Sequence, residues 1–366
     1  MSHVYFTSVR VKKLRAEYTL PFKFRRLLKG AGLADVVRGK KVCVKMHLGG
    51  GVGYTTIHPV FVRALVEEVR AAGARSVFVG DGRASVRDCA VRGYTRRALG
   101  CKVVPFFRPV FGRTVATPIG YKDLDEALLA KDLLGADALV DLSHVKGHGD
   151  CGFGGAAKNI AMGCVPGETR RKIHSLEGGI HWHAEKCTKC RKCVEACPNE
   201  ANKFDDDGKY EVFWHDCTYC RHCVLACPAG ALETTGATFA DFQEGMARVV
   251  SAVLDHFGPE NLFCANFLTN VTVYCDCWGF STPPVVPDVG ILASRDLVAV
   301  DKASLDLVRE EDFRPESLPE GRALGKGRHL FEKIHAKDPY LVLEILAKMG
   351  KGNLDYQLVE LEEPEG

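Results

Sequence analysis

Short apolar runs alternate with helix-length amphipathic stretches over most of the chain. Val4–Val9, Lys41–Met46, Ser76–Val79, Lys102–Phe106 and Ala138–Leu142 read as strands. Pro59–Ala72, Arg87–Leu99 and Leu124–Leu134 read as helices, each ending at or just before a glycine (Gly73, Gly100, Gly135) that suits a C-cap. The alternation resumes late in the chain, with helices at Phe239–Phe257, around Val300–Val308 and near Pro339–Lys348, and strands at Leu262–Phe267 and Val289–Leu292. Strands interleaved with helices specify an α/β fold, a mixed or parallel sheet covered by helices. That domain comes in two halves, residues 1–183 and 235–366, with residues 184–234 as an inserted α+β module. The acidic stretch from Leu358 to Gly366 reads as a frayed tail.

The insertion carries the strongest chemical signal. Cys187, Cys190, Cys193 and Cys197 precede Pro198, and thirty residues on Cys217, Cys220, Cys223 and Cys227 precede Pro228. Each run is C-x2-C-x2-C-x3-C-P. Thr188/Thr218, Arg191/Arg221, Val194/Val224 and Ala196/Ala226 repeat with them, and Phe204–Trp214, centred on Asp205-Asp206-Asp207-Gly208, reads as a hairpin joining the copies. The spacing resembles that of the bacterial two-cluster ferredoxins, where three thiolates of a tight loop hold one 4Fe-4S cube and the fourth ligates the other. The resemblance implies one [4Fe-4S] cluster on Cys187, Cys190, Cys193 and Cys227, and a second on Cys217, Cys220, Cys223 and Cys197. Zinc fits less well, because its sites pair two short knuckles instead of setting four cysteines in one run.

A second constellation follows strand 138–142. Its stretch 143–175 holds His144, His148, Lys158 and His174 and the glycines Gly152, Gly154 and Gly155. Ligands of open α/β sheets bind beyond the carboxyl ends of strands, so this stretch is a site candidate. The glycines allow a backbone turn to approach a ligand, and a helix starting near Gly155 offers free N–H groups to an anion with Lys158 on its first turn. The same glycines equally serve helix–strand packing, and His148 equally serves as a cap. His47, leading into Gly49-Gly50-Gly51, and Asp81-Gly82 hold corresponding positions after their strands. The glycine run is not a dinucleotide fingerprint. Cys275 and Cys277, either reactive or structural, bind one metal together only if the chain turns between them. Asp288 and Asp301 read as helix caps or site residues, with capping the favoured role of each taken alone.

Composition narrows the classes. The 366 residues carry 49 basic and 46 acidic side chains, a net +3 without long like-charge runs, which removes the electrostatic case for a nucleic-acid binder. No stretch approaches a membrane span, and the N-terminal residues lack a basic head before a long apolar core, so no membrane association and a cytoplasmic chain are the expectation. Sixteen cysteines in such a chain point to metal or redox chemistry.

The order Gly152-Phe-Gly-Gly-Ala-Ala-Lys158-Asn-Ile-Ala-Met-Gly-Cys164, Lys172, His174-Ser175, the two cysteine runs, Cys275-Asp276-Cys277 and Asp288 to Asp301 resembles the iron-sulfur centre proteins grouped as domain of unknown function 362. Around Gly154, Gly155 and Lys158 there is a more distant similarity to lactate racemase-like proteins, whose nickel-pincer nucleotide does not transfer here. The resemblance implies clusters without a settled reaction. One reading is an oxidoreductase whose clusters relay electrons from a redox partner protein to a small anionic substrate in a cleft built from His47, His144, His148, Lys158, His174 and Cys275/Cys277. The alternative is a ferredoxin-type electron carrier or accessory subunit, with sulfur transfer a third course. An organic ligand retained in the cleft separates enzyme from carrier. Oligomeric state is not legible.

Overall fold

The computed structural model describes residues 1–107, 114–197, 200–214, 216–217, 221–235, 238–318, 320 and 322–361. The elements that place the site are, in chain order, β1 (Ser2–Ser8), α1 (Leu20–Gly30), β2 (Lys41–Met46), α2 (Pro59–Ala71), β3 (Ser76–Gly82), β4 (Lys102–Phe106), β5 (Ala138–His144), α3 (Ala156–Gly163), α4 (Phe239–Phe257), β6 (Leu262–Leu268), β7 (Gly290–Ser294), α5 (Leu297–Leu307), α6 (Leu341–Lys348) and β8 (Tyr356–Glu360). The eight strands form one sheet in the order β8-β1-β7-β6-β5-β2-β3-β4. Only β7 runs antiparallel to its neighbours β1 and β6; the other pairings are parallel.

A central parallel strand must be apolar on both faces, because helices cover each. In β5, Ala138, Val140 and Leu142 face the layer of α1 and α2, while Leu139 faces that of α3, α4, α5 and α6. In β6, Phe263, Ala265 and Phe267 alternate likewise with Leu262, Cys264 and Leu268. Helix boundaries follow local chemistry. Pro59 opens α2 behind the cap residue His58. Thr238 and Asp241 form a reciprocal capping box for α4. Among the described residues no helix is long and apolar enough to cross a membrane.

Several sequence expectations need correction. Leu124–Ala130 is a strand, paired antiparallel with Thr114–Tyr121, and only Lys131–Leu134 turns as a helix. The alternating burial of Leu124, Ala127 and Leu129 satisfies either period, and pairing with a partner rich in β-branched residues decides it. Arg87–Leu99 breaks into a 3-10 turn at Cys89–Arg92 and a short helix at Arg96–Leu99, separated by Gly93 in the left-handed region. Leu358–Glu360 belongs to β8, hydrogen-bonded parallel to β1; residues 362–366 lie outside the described residues. Helix α5 begins before Val300, capped by Asp296 and not by Asp301.

Strands Ile180–Trp182 and Leu232–Thr234 pair antiparallel, so the segment between them leaves and re-enters the main fold side by side. Within it Asn202–Phe204 pairs with Tyr210–Val212 around the Asp205–Gly208 turn, the hairpin read from the sequence. Cys193, Cys223, Tyr210 and Leu232 form a small core there, separate from the two layers of the main sheet.

Candidate functional site

The described parts of the two cysteine runs share their local geometry. Each loop ends at an arginine in the left-handed region, Arg191 at φ 60° and Arg221 at φ 65°, followed by one helical turn, Lys192–Glu195 or His222–Leu225. The fourth cysteine of each run then accepts a backbone hydrogen bond four residues on, Ala201 N to Cys197 Sγ and Ala231 N to Cys227 Sγ, both at 3.2 Å. Cys187, Cys190, Cys193 and Cys227 line one pocket together with Trp182, Phe204, Tyr210 and Leu232. Cys193 interacts electrostatically with Cys227 and Cys187, and Cys223 with Cys197, so the fourth cysteine of each run faces the other run. Cys217 is buried; Cys220 lies outside the described residues. The pocket fits a [4Fe-4S] cluster: four thiols converge in an apolar shell, and the buried Trp182 Nε1 has no hydrogen-bond acceptor among the described residues, a donor that inorganic sulfide can satisfy.

At the carboxyl ends of the strands the chain brings together most of the polar candidates. His47 follows β2, and its Nδ1 lies 3.1 Å from Asp81 Oδ2 on β3, which also accepts from Leu48 N at 3.0 Å. The buried Lys45 ammonium sits 3.1 Å from Asp81 Oδ1 and 2.6 Å from Asn159 Oδ1. Burial opposes ionisation of Asp81, but the charges of Lys45 and His47 hold its carboxyl well below the usual range. Burial lowers His47 despite that carboxylate, and its Nε2 is shielded without a hydrogen-bond partner among the described residues.

Beside this pair, Asp276 is fixed by His144 Nδ1 at 2.9 Å and Lys146 Nζ at 3.1 Å. The other His144 nitrogen meets Thr269 O at 2.9 Å, so both sides of that ring are committed to supporting the loop. The loop turns as a 3-10 helix at Asp276–Trp278, the turn that places both neighbouring sulfurs together, and Cys275 and Cys277 form a disulfide. His148 offers a ring nitrogen within 4.8 Å of both sulfurs. Lys158 Nζ stands 4.0 Å from Cys277 Sγ. Burial, then the Lys146 ammonium, lowers Lys158 to about 8. His174 bonds Glu177 and lies with it near Asp150; burial alone lowers this imidazole, and the two carboxylates outweigh it, leaving its pKa raised.

The glycine segment does something other than expected. The first N–H groups of α3, Ala156 and Ala157, donate to the two oxygens of Asp301, each at 2.8 Å. The anion at this helix end is thus the protein's own carboxylate, from α5. A Cβ on Gly155 would lie 2.4 Å from Asp301 Oδ1, and one on Gly152, whose φ is +74°, would lie 2.5 Å from Lys337 O. Gly154 packs on the Lys146 side chain. The room these glycines leave is filled by the chain itself. Asp288 accepts from Asn270 N at 2.7 Å, capping a turn and no helix. The sequence reading missed Lys45, Lys146, Asp150 and Glu177. The available signal was a charged residue inside an otherwise apolar strand, as Lys45 stands in Lys41–Met46. A crevice lined by Ser2, Tyr5, Asp35, Asp255, Glu260 and Asp296 opens elsewhere on the sheet and contains none of the cleft residues.

Residues 42–306 match the model of a family described as Domain of unknown function (DUF362). No curated protein matches the chain. Among solved structures, the lactate racemase apoprotein from Thermoanaerobacterium thermosaccharolyticum is 14% identical with a TM-score of 0.34, over 67% of this chain and 49% of that one. A protein from Thermotoga maritima is 12% identical with a TM-score of 0.34, over 69% of this chain and 50% of that one. The chain spans about half the length of each.

Proposed function

This chain belongs to the DUF362 family, and from that premise we propose that it is an iron–sulfur redox protein, an oxidoreductase that brings electrons to a small anionic substrate in the cleft. Cys187, Cys190, Cys193 and Cys227 hold one [4Fe-4S] cluster, and Cys217, Cys220, Cys223 and Cys197 the second. The observation that carries this reading is the shared pocket of Cys187, Cys190 and Cys193 with Cys227, a residue from the other run. When bound, such clusters supply one-electron transfer at low potential. The chain supplies the rest. Tyr210, Trp182 and Phe204 keep water from the first site, and Cys190 is exposed at its edge among Lys186, Lys189, Arg191 and Lys192. That basic rim suits an acidic one-electron donor protein.

In the cleft, Lys158 has no carboxylate at ion-pair distance among the described residues, so its ammonium is available to an anionic substrate. The Asp81–His47 pair orients a ring whose Nε2 can accept or return a proton. A carrier has no use for this second set of titratable groups, which favours an enzyme over a carrier.

Anaerobic purification followed by iron analysis tests the proposal. About eight irons per chain and a reduced-state paramagnetic signal are expected, with Cys190→Ser losing roughly half of the iron. A chain free of iron, or a Cys190→Ser protein with its full complement, overturns the ligand assignment.

A further inference from the structure

We propose that Cys275 and Cys277 are a redox-active disulfide that takes two electrons arriving through the cysteine-rich module and opens to a dithiol in the cleft. The inference rests on the iron–sulfur reading above and adds a two-electron acceptor between the clusters and the substrate.

The first argument is position. Cys217, a proposed cluster ligand, is followed back along the chain by Asp216, whose carboxylate accepts from Tyr274 Oη at 2.7 Å. Tyr274 is bonded to Cys275 through the backbone. One hydrogen bond therefore separates the covalent path leaving the cluster ligand from the one entering the disulfide. The same junction is packed: Tyr274 stacks on Trp278 with ring centroids 4.7 Å apart, and Phe213 of the module meets Trp278 edge-on at 5.0 Å. Arg322 bonds both Asp216, at 3.2 Å, and Tyr274 Oη, at 2.9 Å. The disulfide thus lies where the module touches the main fold.

The second argument is asymmetry. Cys275 is buried, on the side of Tyr274, whereas Cys277 is exposed in the cleft with Lys158 Nζ 4.0 Å away. An exposed thiol beside an ammonium is the arrangement that makes a reactive thiolate, and a buried neighbour is the natural resolving partner. His148 and Lys158 are both within reach to supply protons.

The third argument is electron count. Opening the disulfide breaks the S–S bond, consumes two electrons and two protons and forms two S–H bonds. Two one-electron centres, each returning to its oxidised state, provide those electrons, and an external low-potential donor recharges them.

The experiment uses the anaerobically isolated, iron-loaded protein. One portion is alkylated with iodoacetamide under denaturing conditions as isolated, a second after reduction by dithionite with methyl viologen, and labelled cysteines are located by mass spectrometry. Cys275 and Cys277 are expected to be unlabelled in the first portion and labelled in the second. A parallel reductive titration is expected to take up about four electrons per chain in the wild type and about two in a C275S/C277S double variant with the same iron content. Labelling of both cysteines before reduction, or equal electron counts in the two iron-loaded proteins, overturns the inference while leaving the clusters in place. About one equivalent of zinc retained by the isolated wild type and lost from the double variant also overturns it, because His148 and the two sulfurs would then be metal ligands. An iron-free chain overturns the cluster reading itself.

Discussion

Lys158 concentrates the chemistry of the cleft in a single amine. It faces Lys146, Cys151, Asp276 and Asp150, and burial together with the Lys146 ammonium outweighs the acidic neighbours, so its pKa falls to about 8. The ammonium is therefore present below that value and lost as the pH rises through it, well before an ordinary lysine titrates at about 10.4. Because the folded pKa is depressed, the charged form is disfavoured by folding, and the penalty grows as pH falls from the ordinary value through about 8. Competitive labelling with an amine-reactive reagent, read by mass spectrometry, should show Lys158 half-reactive near pH 8, about two units below a free lysine side chain. A Lys158 profile coincident with that of a free lysine amine would remove the basis for a tuned amine. Asp301 is the opposite case. Burial pushes it up to about 6, although Ala157 N, Ala156 N and Asn266 Nδ2 all donate to it. A raised carboxyl contributes most below about pH 4, its ordinary value, and that contribution fades as pH rises through about 6. Asp301→Ala leaves three buried donors without their acceptor and should cost about 2–4 kcal/mol in chemical denaturation, measured at neutral pH.

At the scale of elements, packing across the sheet carries most of the stability. Phe267 on β6 meets Phe24 of α1 at 5.0 Å and Phe61 of α2 at 5.1 Å, both edge-on, and all of its surface is buried. Phe267→Ala should cost about 3–5 kcal/mol in the same measurement, against about 1 kcal/mol for Thr238→Ala, which removes one cap from α4. The strands and α4 were legible because their signals are local: uniform apolarity, a capping residue, a terminal glycine. The hairpin of Thr114–Tyr121 with Leu124–Ala130 was not, since a seven-residue run with mixed periodicity is decided by a partner strand that the run itself does not specify. The cysteine repeat was legible for the local reason again, two runs of fixed spacing. Which helix Asp301 caps was hidden because donor and acceptor lie 145 positions apart, and the glycine-rich stretch looked like a ligand cradle when the occupant was another part of the chain.

For the molecule as a whole, the decisive question is how the cysteine module is held against the sheet domain. The paired strands Ile180–Trp182 and Leu232–Thr234 tether it, but two short strands alone leave its orientation weakly fixed. Orientation comes from the contact of Phe213 with Trp278, the Asp216–Tyr274–Arg322 cluster, and Lys337 Nζ, which donates to Cys217 O at 2.5 Å. Phe213, Asp216 and Arg322 meet Trp278 or Tyr274 of the loop that carries Cys275 and Cys277, so residues that dock the module also lie on the proposed electron path. A Phe213→Ala/Arg322→Ala protein should keep its iron, because neither residue is a cluster ligand, while backbone amides of residues 202–217 exchange faster with deuterium and those of β5 and β6 do not change. Reduction of the Cys275–Cys277 disulfide by dithionite and methyl viologen should slow in the same variant, since a looser junction lengthens the path. Unchanged exchange across 202–217 would mean that the strand pair alone orients the module. Faster exchange with an unchanged reduction rate would mean that electrons reach the disulfide by a route other than Asp216 and Tyr274.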